Sequence, residues 1–486
     1  VSDLKNKTVK GVFWNAVDKF TNQGLQFVFG IILARLLLPK EYGLIGMLSI
    51  FISIGQVFVA SNFATALIQK KNRTEDDFNT VFLFNVFTAF TIYMILFFSA
   101  GFIADFYNEP RLLALTRVVS LSLLLYSLTM IQNTKYTIEL NFKIMAKISM
   151  VSVLLSGTIG VVLAFLDFGV WSLVWKTLAF AAFNSMGLWM FSSWKPNFTF
   201  SKESFKSLFG FSSKLLLADL FDSFYRNMNN VLIGKYYGAE SIGYYSRAKQ
   251  FQDLPSISLT EISRKVTFPV LSSIQDDDDR LAKTYRRIIR FLAFIVIGLM
   301  FLLMTIAKPL VLVLLTEKWL PSVEIFQILS FAGIWFPINV LSMEAIIVKG
   351  KSGLFLKIDL IKKIIALAII IIASQYGIVA LAYGMVAIAL ISFVVNAIFT
   401  EKVIHYRILS QISDLVPFIL VAVSSNLLVR NTMVLVDSSL MQLAIGSFSY
   451  ILLFLLASRI FRFEEYFELK KLIINLFENL KRRKAN

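Results

Sequence analysis

Apolar residues run through this chain in blocks of about 20, long enough to cross the hydrocarbon core of a bilayer as α-helix, with short polar stretches between them. The blocks fall near residues 9–36, 42–68, 79–103, 112–134, 148–167, 170–192, 208–237, 241–270, 287–307, 323–347, 354–374, 377–399, 413–430 and 440–460. They predict an all-α polytopic membrane protein with about 14 transmembrane helices. Some blocks are broken by polar residues at helical spacing. Asn15, Lys19, Asn22 and Gln26 lie four, three and four apart, so they share one helix face with Asp18 beside it. Asp219, Asp222, Arg226 and Asn229 form a second stripe in the seventh block, next to Asn230. The eighth block carries Arg247, Lys249, Gln250, Asp253, Ser256, Thr260 and Glu261, and the second carries Gln56, Ser61 and Asn62. Charge is costly in lipid, so these faces are expected to look at protein or at a water-filled cavity.

The two stripes are related by an internal repeat of about 200 positions. Leu33-Ala34-Arg35 through Lys40-Glu41-Tyr42-Gly43 returns as Ile233-Gly234-Lys235 through Glu240-Ser241-Ile242-Gly243, and Lys19, Asn22 and Gln26 fall on Asp219, Asp222 and Arg226. Further on, Lys147-Ile148-Ser149 matches Lys357-Ile358-Asp359, and Phe168-Gly169-Val170 matches Tyr376-Gly377-Ile378. Each copy holds an even number of spans, about six, so both start from the same face of the membrane and form a parallel repeat. This divides the chain into a first lobe over residues 1–195, a second over 208–405, an extra helix pair over 412–461 and a tail over 462–486.

Composition agrees with the pattern: 57% of residues are hydrophobic and 16% charged, against roughly a quarter charged in soluble proteins. The net charge of +17 is a matter of topology. Roughly 34 of the 48 Lys and Arg lie in the even-numbered connections and the termini, which places both termini in the cytoplasm by the positive-inside rule. Because the charge is spread over many loops, no nucleic-acid partner is expected. The first block is too long for a removable signal peptide and carries Asp18 and Lys19. The chain has no cysteine, so thiol chemistry and Cys-ligated metals are excluded, and the one histidine, His405, falls in a basic connection.

Lys19, Arg226, Arg247 and Lys249 are the candidate cations of a cavity, lined further by Asn15, Asn22, Gln26, Gln56, Asn62, Asp222, Asn229 and Gln250. Arginine suits phosphate, since its planar fork makes paired charge-assisted bonds. Asp219, Asp222, Asp253 and Glu261 are candidates for coupling to H⁺ or Na⁺; neutralising a neighbouring cation is an equal alternative. No cofactor or resident metal is expected, and the run Asp276-Asp277-Asp278-Asp279 reads as a helix N-terminus. In the tail, Phe463, Phe467, Leu472, Ile473, Leu476, Phe477 and Leu480 recur at helical spacing and Lys481-Arg482-Arg483-Lys484 follows, the pattern of an amphipathic helix on the cytoplasmic leaflet.

Three segments carry a resemblance to a known family: Leu33 to Leu37 with Pro39, Glu41, Tyr42 and Gly43; Phe168-Gly169-Val170-Trp171-Ser172-Leu173-Val174; and Gly243-Tyr244-Tyr245-Ser246-Arg247-Ala248 with Leu254-Pro255 and Phe268-Pro269. Over nearly its whole length the chain resembles the Wzx-like polysaccharide flippases of the multidrug/oligosaccharidyl-lipid/polysaccharide exporter superfamily. The resemblance implies two six-helix lobes plus an extra pair in a bacterial inner membrane. It also implies transfer of an undecaprenyl-diphosphate-linked oligosaccharide from the cytoplasmic to the periplasmic leaflet, for surface polysaccharide synthesis alongside a polymerase and glycosyltransferases. The family's cavity cations carry over to Lys19, Arg226, Arg247 and Lys249. Multidrug export and membrane glycan polymerisation or ligation stay open as rivals; the connections assigned outside, about 15 residues or fewer, leave little room for an external catalytic loop.

Overall fold

The computed structural model describes the backbone of residues 2–485 and the side chains of residues 11, 13–475 and 478. Its helices are α1 (Ser2–Leu36), α2 (Pro39–Gln69), α3 (Glu75–Tyr107), α4 (Arg111–Ile138), α5 (Phe142–Phe165), α6 (Val170–Phe191), α7 (202–237), α8 (239–272), α9 (Asp278–Leu314), α10 (Ser322–Val348), α11 (Ser352–Ala373), α12 (Ile378–Ile404), α13 (Ile408–Met433), α14 (Ser439–Ile460) and α15 (Glu464–Ala485). No strand occurs among the described residues. α1 to α14 coincide with the blocks read from the sequence, and among the described residues nine of them are long and apolar enough to cross a membrane by length and composition alone. α1, α7 and α8, which carry the polar stripes, are among those that fall short. The protein is an all-helical, multi-pass membrane protein.

Local chemistry explains where the helices begin and break. Pro39 opens α2, and the Glu41 carboxylate accepts from the Leu38 amide at 2.7 Å, closing one of the free N–H groups of the first turn. At Thr74 a capping box starts α3, with the Asp77 carboxylate accepting from the Thr74 amide at 2.9 Å and the Lys70 ammonium 2.7 Å from Asp77. The acidic run heads α9 as expected, the Asp277 side chain accepting from the Arg280 amide at 3.0 Å. Two blocks expected to be single helices are broken. α2 is interrupted at Ser61 and Asn62, both left-handed with φ of 42° and 54°, and α4 is three shorter helices, Arg111–Val119, Leu121–Ser127 and Met130–Ile138.

The chain divides into two compact units, residues 1–243 and 244–486. In the first, α5 packs on α1 and α6. Its small residues permit the approach: Gly157 lies against the Phe29 ring and Gly160 against the Lys176 stem, as close packing requires where lipid supplies no hydrophobic drive. In the second, α9 carries the core, with α10, α13 and α14 around it. Phe294 stacks on Phe454 at 5.2 Å beside Gly298. The repeat places the boundary at 195–208, whereas the compact units meet at Gly243, because α7 is held by α2 through contacts given below.

The connection after α3 holds an ion-pair cluster, with Glu109 2.9 Å from Arg111 and 3.3 Å from Lys40. The Arg111 guanidinium, and after it the Lys40 ammonium, hold the Glu109 carboxyl below the usual range against an opposing effect of burial. The stabilisation is complete above the ordinary glutamate value of about 4.3 and is lost as pH falls through the lowered native value. Melting curves between pH 7 and pH 3.5 should show a smaller acid loss in Glu109→Gln than in the parent, by up to about 1 kcal/mol. Identical acid losses would remove this role.

Candidate functional site

In the first unit the α1 stripe splits. Asn22 turns inward, its amide nitrogen donating to Asp18 Oδ1 and to Ser149 Oγ on α5, each at 2.6 Å. Asn15, Lys19 and Gln26 stay exposed. One helix face thus serves two purposes, because an α5 hydroxyl happens to meet its middle.

α7 lies antiparallel along α2, joined by polar side chains that a repeat alignment does not pair. Asn62 donates to Asp219 at 2.8 Å, Asn227 to Ser53 at 3.3 Å and Asn230 to Ser49 at 3.2 Å. As the α7 partners climb through 219, 227 and 230, the α2 partners descend through 62, 53 and 49. Asn62 reaches Asp219 from the left-handed break in α2, a conformation that asparagine tolerates. In this membrane such amide and hydroxyl bonds join helices that apolar contact alone would leave free to slide. Of the residues singled out in the sequence this ladder uses Asn62, Asp219 and Asn230; Ser49, Ser53 and Asn227 were not among them, although the i,i+4 spacing of the serines and the i,i+3 spacing of Asn227 and Asn230 were there to be read.

The same antiparallel register continues to the start of α8, past Gly238 with its φ of 79°. A Cβ on Gly43 would fall 1.6 Å from the Ala239 carbonyl oxygen, and one on Gly243 would fall 2.1 Å from the Pro39 carbonyl oxygen. Gly43 and Gly243 are mates in the repeat. Each therefore gives its backbone to the other copy, a reciprocal crossing at the closest approach two helices allow.

Arg226 projects from the middle of α7 with its side chain 75% exposed, Nε donating to Asp222 at 2.6 Å. Asn229 is buried, and Gln56 on α2 is exposed. A guanidinium so exposed at that depth demands water around it rather than hydrocarbon.

The second unit treats its cations differently. Arg247 is buried, with Nη1 donating to Gln250 Oε1 at 2.6 Å and its guanidinium 5.7 Å from the centroid of the fully buried Trp319 ring. Trp319 is held there by a short 3₁₀ turn, Glu317–Trp319, and by an edge-on Tyr244. Lys249 is partly exposed, 3.1 Å from Asp253, and Glu261 is half-buried. Arg226 and Arg247, equivalent as phosphate ligands in sequence, are thus in opposite environments. Further along α8, Ser256 donates to the Gly333 carbonyl of α10 at 3.0 Å, and Arg264 is ion-paired with the buried Glu344.

Two further polar clusters in this unit were not read from the sequence. Lys362 on α11 donates to Asn396 Oδ1 on α12 at 3.0 Å, and Asn396 donates to Asn339 Oδ1 on α10 at 2.9 Å. At the α9 end, Arg286 grips Asp414 of α13 with two bonds of 2.6 and 2.7 Å, and Arg290 reaches Asp414 at 3.0 Å and Glu465 of α15 at 2.6 Å. Tyr406 also donates to Asp414; burial, and then that carboxylate, raise its phenol well above the usual range. Among the described residues no group of three His, Cys, Asp or Glu is placed to hold a metal ion. The exposed or partly exposed cations of these stripes each stand beside a carboxylate, Arg226 by Asp222 and Lys249 by Asp253.

Sequence comparison gives the family of this chain, and structure comparison its fold. Residues 32–324 match the family described as "Polysaccharide biosynthesis protein". The teichuronic acid biosynthesis protein TuaB of Bacillus subtilis is 22% identical over 72% of this chain and 73% of its own length. The succinoglycan biosynthesis transport protein ExoT of Rhizobium meliloti is 27% identical over 67% of this chain and 66% of its own. Among solved structures, the lipid II flippase MurJ in its inward closed conformation superposes with a TM-score of 0.72 at 15% identity, covering 93% of this chain and 99% of that one. With its helices, its repeat and its polar stripes accounted for, the chain belongs to the polysaccharide biosynthesis protein family and has the fold of the exporter superfamily that its motifs resemble.

Proposed function

We propose that this protein is a flippase that carries a polyprenyl-diphosphate-linked oligosaccharide from the cytoplasmic to the outer leaflet of a bacterial inner membrane, with both termini in the cytoplasm. The observation that carries this reading is the exposed Arg226 in the middle of a membrane helix, repeat-related to the exposed face of Lys19. Diphosphate is the anion such a site would take, since guanidinium and ammonium groups donate to its oxygens while the polyprenyl tail stays in lipid. Asp222, 2.6 Å from Arg226, holds the guanidinium in place until phosphate replaces it. Transport of this kind needs two conformations of similar energy that expose the headgroup site to opposite faces, and no covalent chemistry. Asp253, beside Lys249, and Asp219, beside Asn62, are the carboxylates we assign to coupling with H⁺ or Na⁺. The names of TuaB, a teichuronic acid biosynthesis protein, and ExoT, a succinoglycan biosynthesis transport protein, support a glycan substrate.

Because Arg226 and Lys19 are exposed, replacing them should spare the fold. Lys19→Ala with Arg226→Ala is expected to melt within about 0.5 kcal/mol of the parent and to lose headgroup flipping in proteoliposomes. Normal flipping by that folded variant would refute the role. Arg247→Lys keeps a positive charge near Trp319 but loses the fork that reaches Gln250, so a ligand role predicts weaker binding of the diphosphate.

A further inference from the structure

α15 follows the membrane-span candidate α14 after a link of three residues, 461–463. Its first turns are fixed to the second unit. The buried Glu465 accepts from Arg290 at 2.6 Å, Glu468 pairs with Arg287, and Phe463 packs edge-on against Phe418 at 5.0 Å. Tyr466 and Leu469 lie against the core that α9 and α13 build. These contacts set the roll of the helix: the face bearing Tyr466 and Leu469 looks towards the membrane-spanning helices.

Leu472 and Ile473 follow Leu469 by three and four residues, so they continue that face. Yet they are 50% and 45% exposed. The apolar stripe does not end where the protein ends; it runs off the edge of the unit with its orientation already fixed. Leu476, Phe477 and Leu480 extend the same spacing, and Lys481-Arg482-Arg483-Lys484 follows; the side chains of these residues lie outside the described ones. Lys470 stands at the edge of this face and Lys471 on the far side with Asn475, and both are exposed.

We propose that α15 is an interfacial anchor whose overhanging apolar face is seated in the protein's own bilayer leaflet, with Lys470 and Lys471 on anionic phospholipid headgroups. Two observations select this occupant. The helix continues directly from a membrane span, so the side to which its fixed face points is filled by lipid at that depth. The flanking charge is positive, complementary to an anionic leaflet. The inference depends on the membrane assignment and not on what is transported.

The absence of cysteine from this sequence makes the test direct in the whole chain. Ile473→Cys, and separately Asn475→Cys on the opposite side of the helix, would be labelled with an environment-sensitive fluorophore and reconstituted into vesicles of phosphatidylcholine with or without phosphatidylglycerol. The expected result is a blue shift at position 473, quenched by lipids brominated in the acyl chain and largest with phosphatidylglycerol, while position 475 stays open to an aqueous quencher. Lys470→Glu with Lys471→Glu should abolish the dependence on phosphatidylglycerol. Equal aqueous quenching at both positions would overturn the proposal, as would a shift independent of lipid charge. Shielding at 473 that grows with protein density would instead assign the face to a second copy and overturn it as well. Loss of flipping by the Lys19 and Arg226 variant leaves all these readouts unchanged, so the two proposals fail separately.

Discussion

Gly43→Val is expected to be among the most damaging single substitutions in this protein. The Cβ it introduces would stand 1.6 Å from a carbonyl oxygen and 2.3 Å from the carbonyl carbon of Ala239, both backbone atoms of a helix. No rotamer relieves a clash at Cβ. Contact distance for such atoms is about 3.5 Å, so α2 and the head of α8 would have to part by roughly 2 Å. Overpacking against movable side chains already costs about 1–3 kcal/mol. Against backbone we expect the upper end or beyond, read as a large fall in melting temperature of the purified protein. The reciprocity makes the prediction sharper. Once Gly43→Ala has forced the helices apart, the space that Gly243→Ala needs is already open, so the double variant should lose less than the two single losses combined. Additive losses would mean that the two glycines sit at independent contacts, and a Gly43→Val protein that melts like the parent would remove the crossing altogether.

The second large effect is expected at Asp414. This carboxylate is buried and accepts from Arg286, Arg290 and Tyr406 together. Asp414→Ala leaves two guanidinium groups facing one another and a buried phenol without its acceptor. Breaking a buried ion pair from one side typically costs about 3–5 kcal/mol; the Arg286 side chain is 48% exposed, which favours the lower end. Arg286→Gln should cost less, since Asp414 keeps Arg290 and Tyr406. Because Arg290 bridges Asp414 to Glu465, Asp414→Ala should also loosen α15, seen as faster hydrogen exchange across residues 464–475. A loss confined to overall melting, with α15 exchange unchanged, would show that the two ends of Arg290 act independently.

The affiliation of the protein was within reach of its sequence; the placement of its polar residues was legible only in part. The stripe on α1 could be read from spacing, but not that Asn22 leaves it for Ser149 while Lys19 stays out. Arg226 and Arg247 looked alike because hydropathy registers charge and not exposure. The ladder between α2 and α7 escaped because serines and asparagines among apolar residues are unremarkable until a partner 157 to 181 positions away gives them meaning. The pairing of Lys362 with Asn396 and Asn339 escaped for the same reason.

What the sequence determined alone was the number and extent of the membrane helices, their duplication and the cost of each charge within them, since a bilayer of fixed thickness imposes one length and one polarity on every segment that crosses it. Tertiary structure alone decided which polar groups face each other, that α7 is bound to the first unit, and that two repeat-related glycines meet at backbone contact. Those outcomes depend on the register between helices far apart in the chain, which no local pattern of residues encodes.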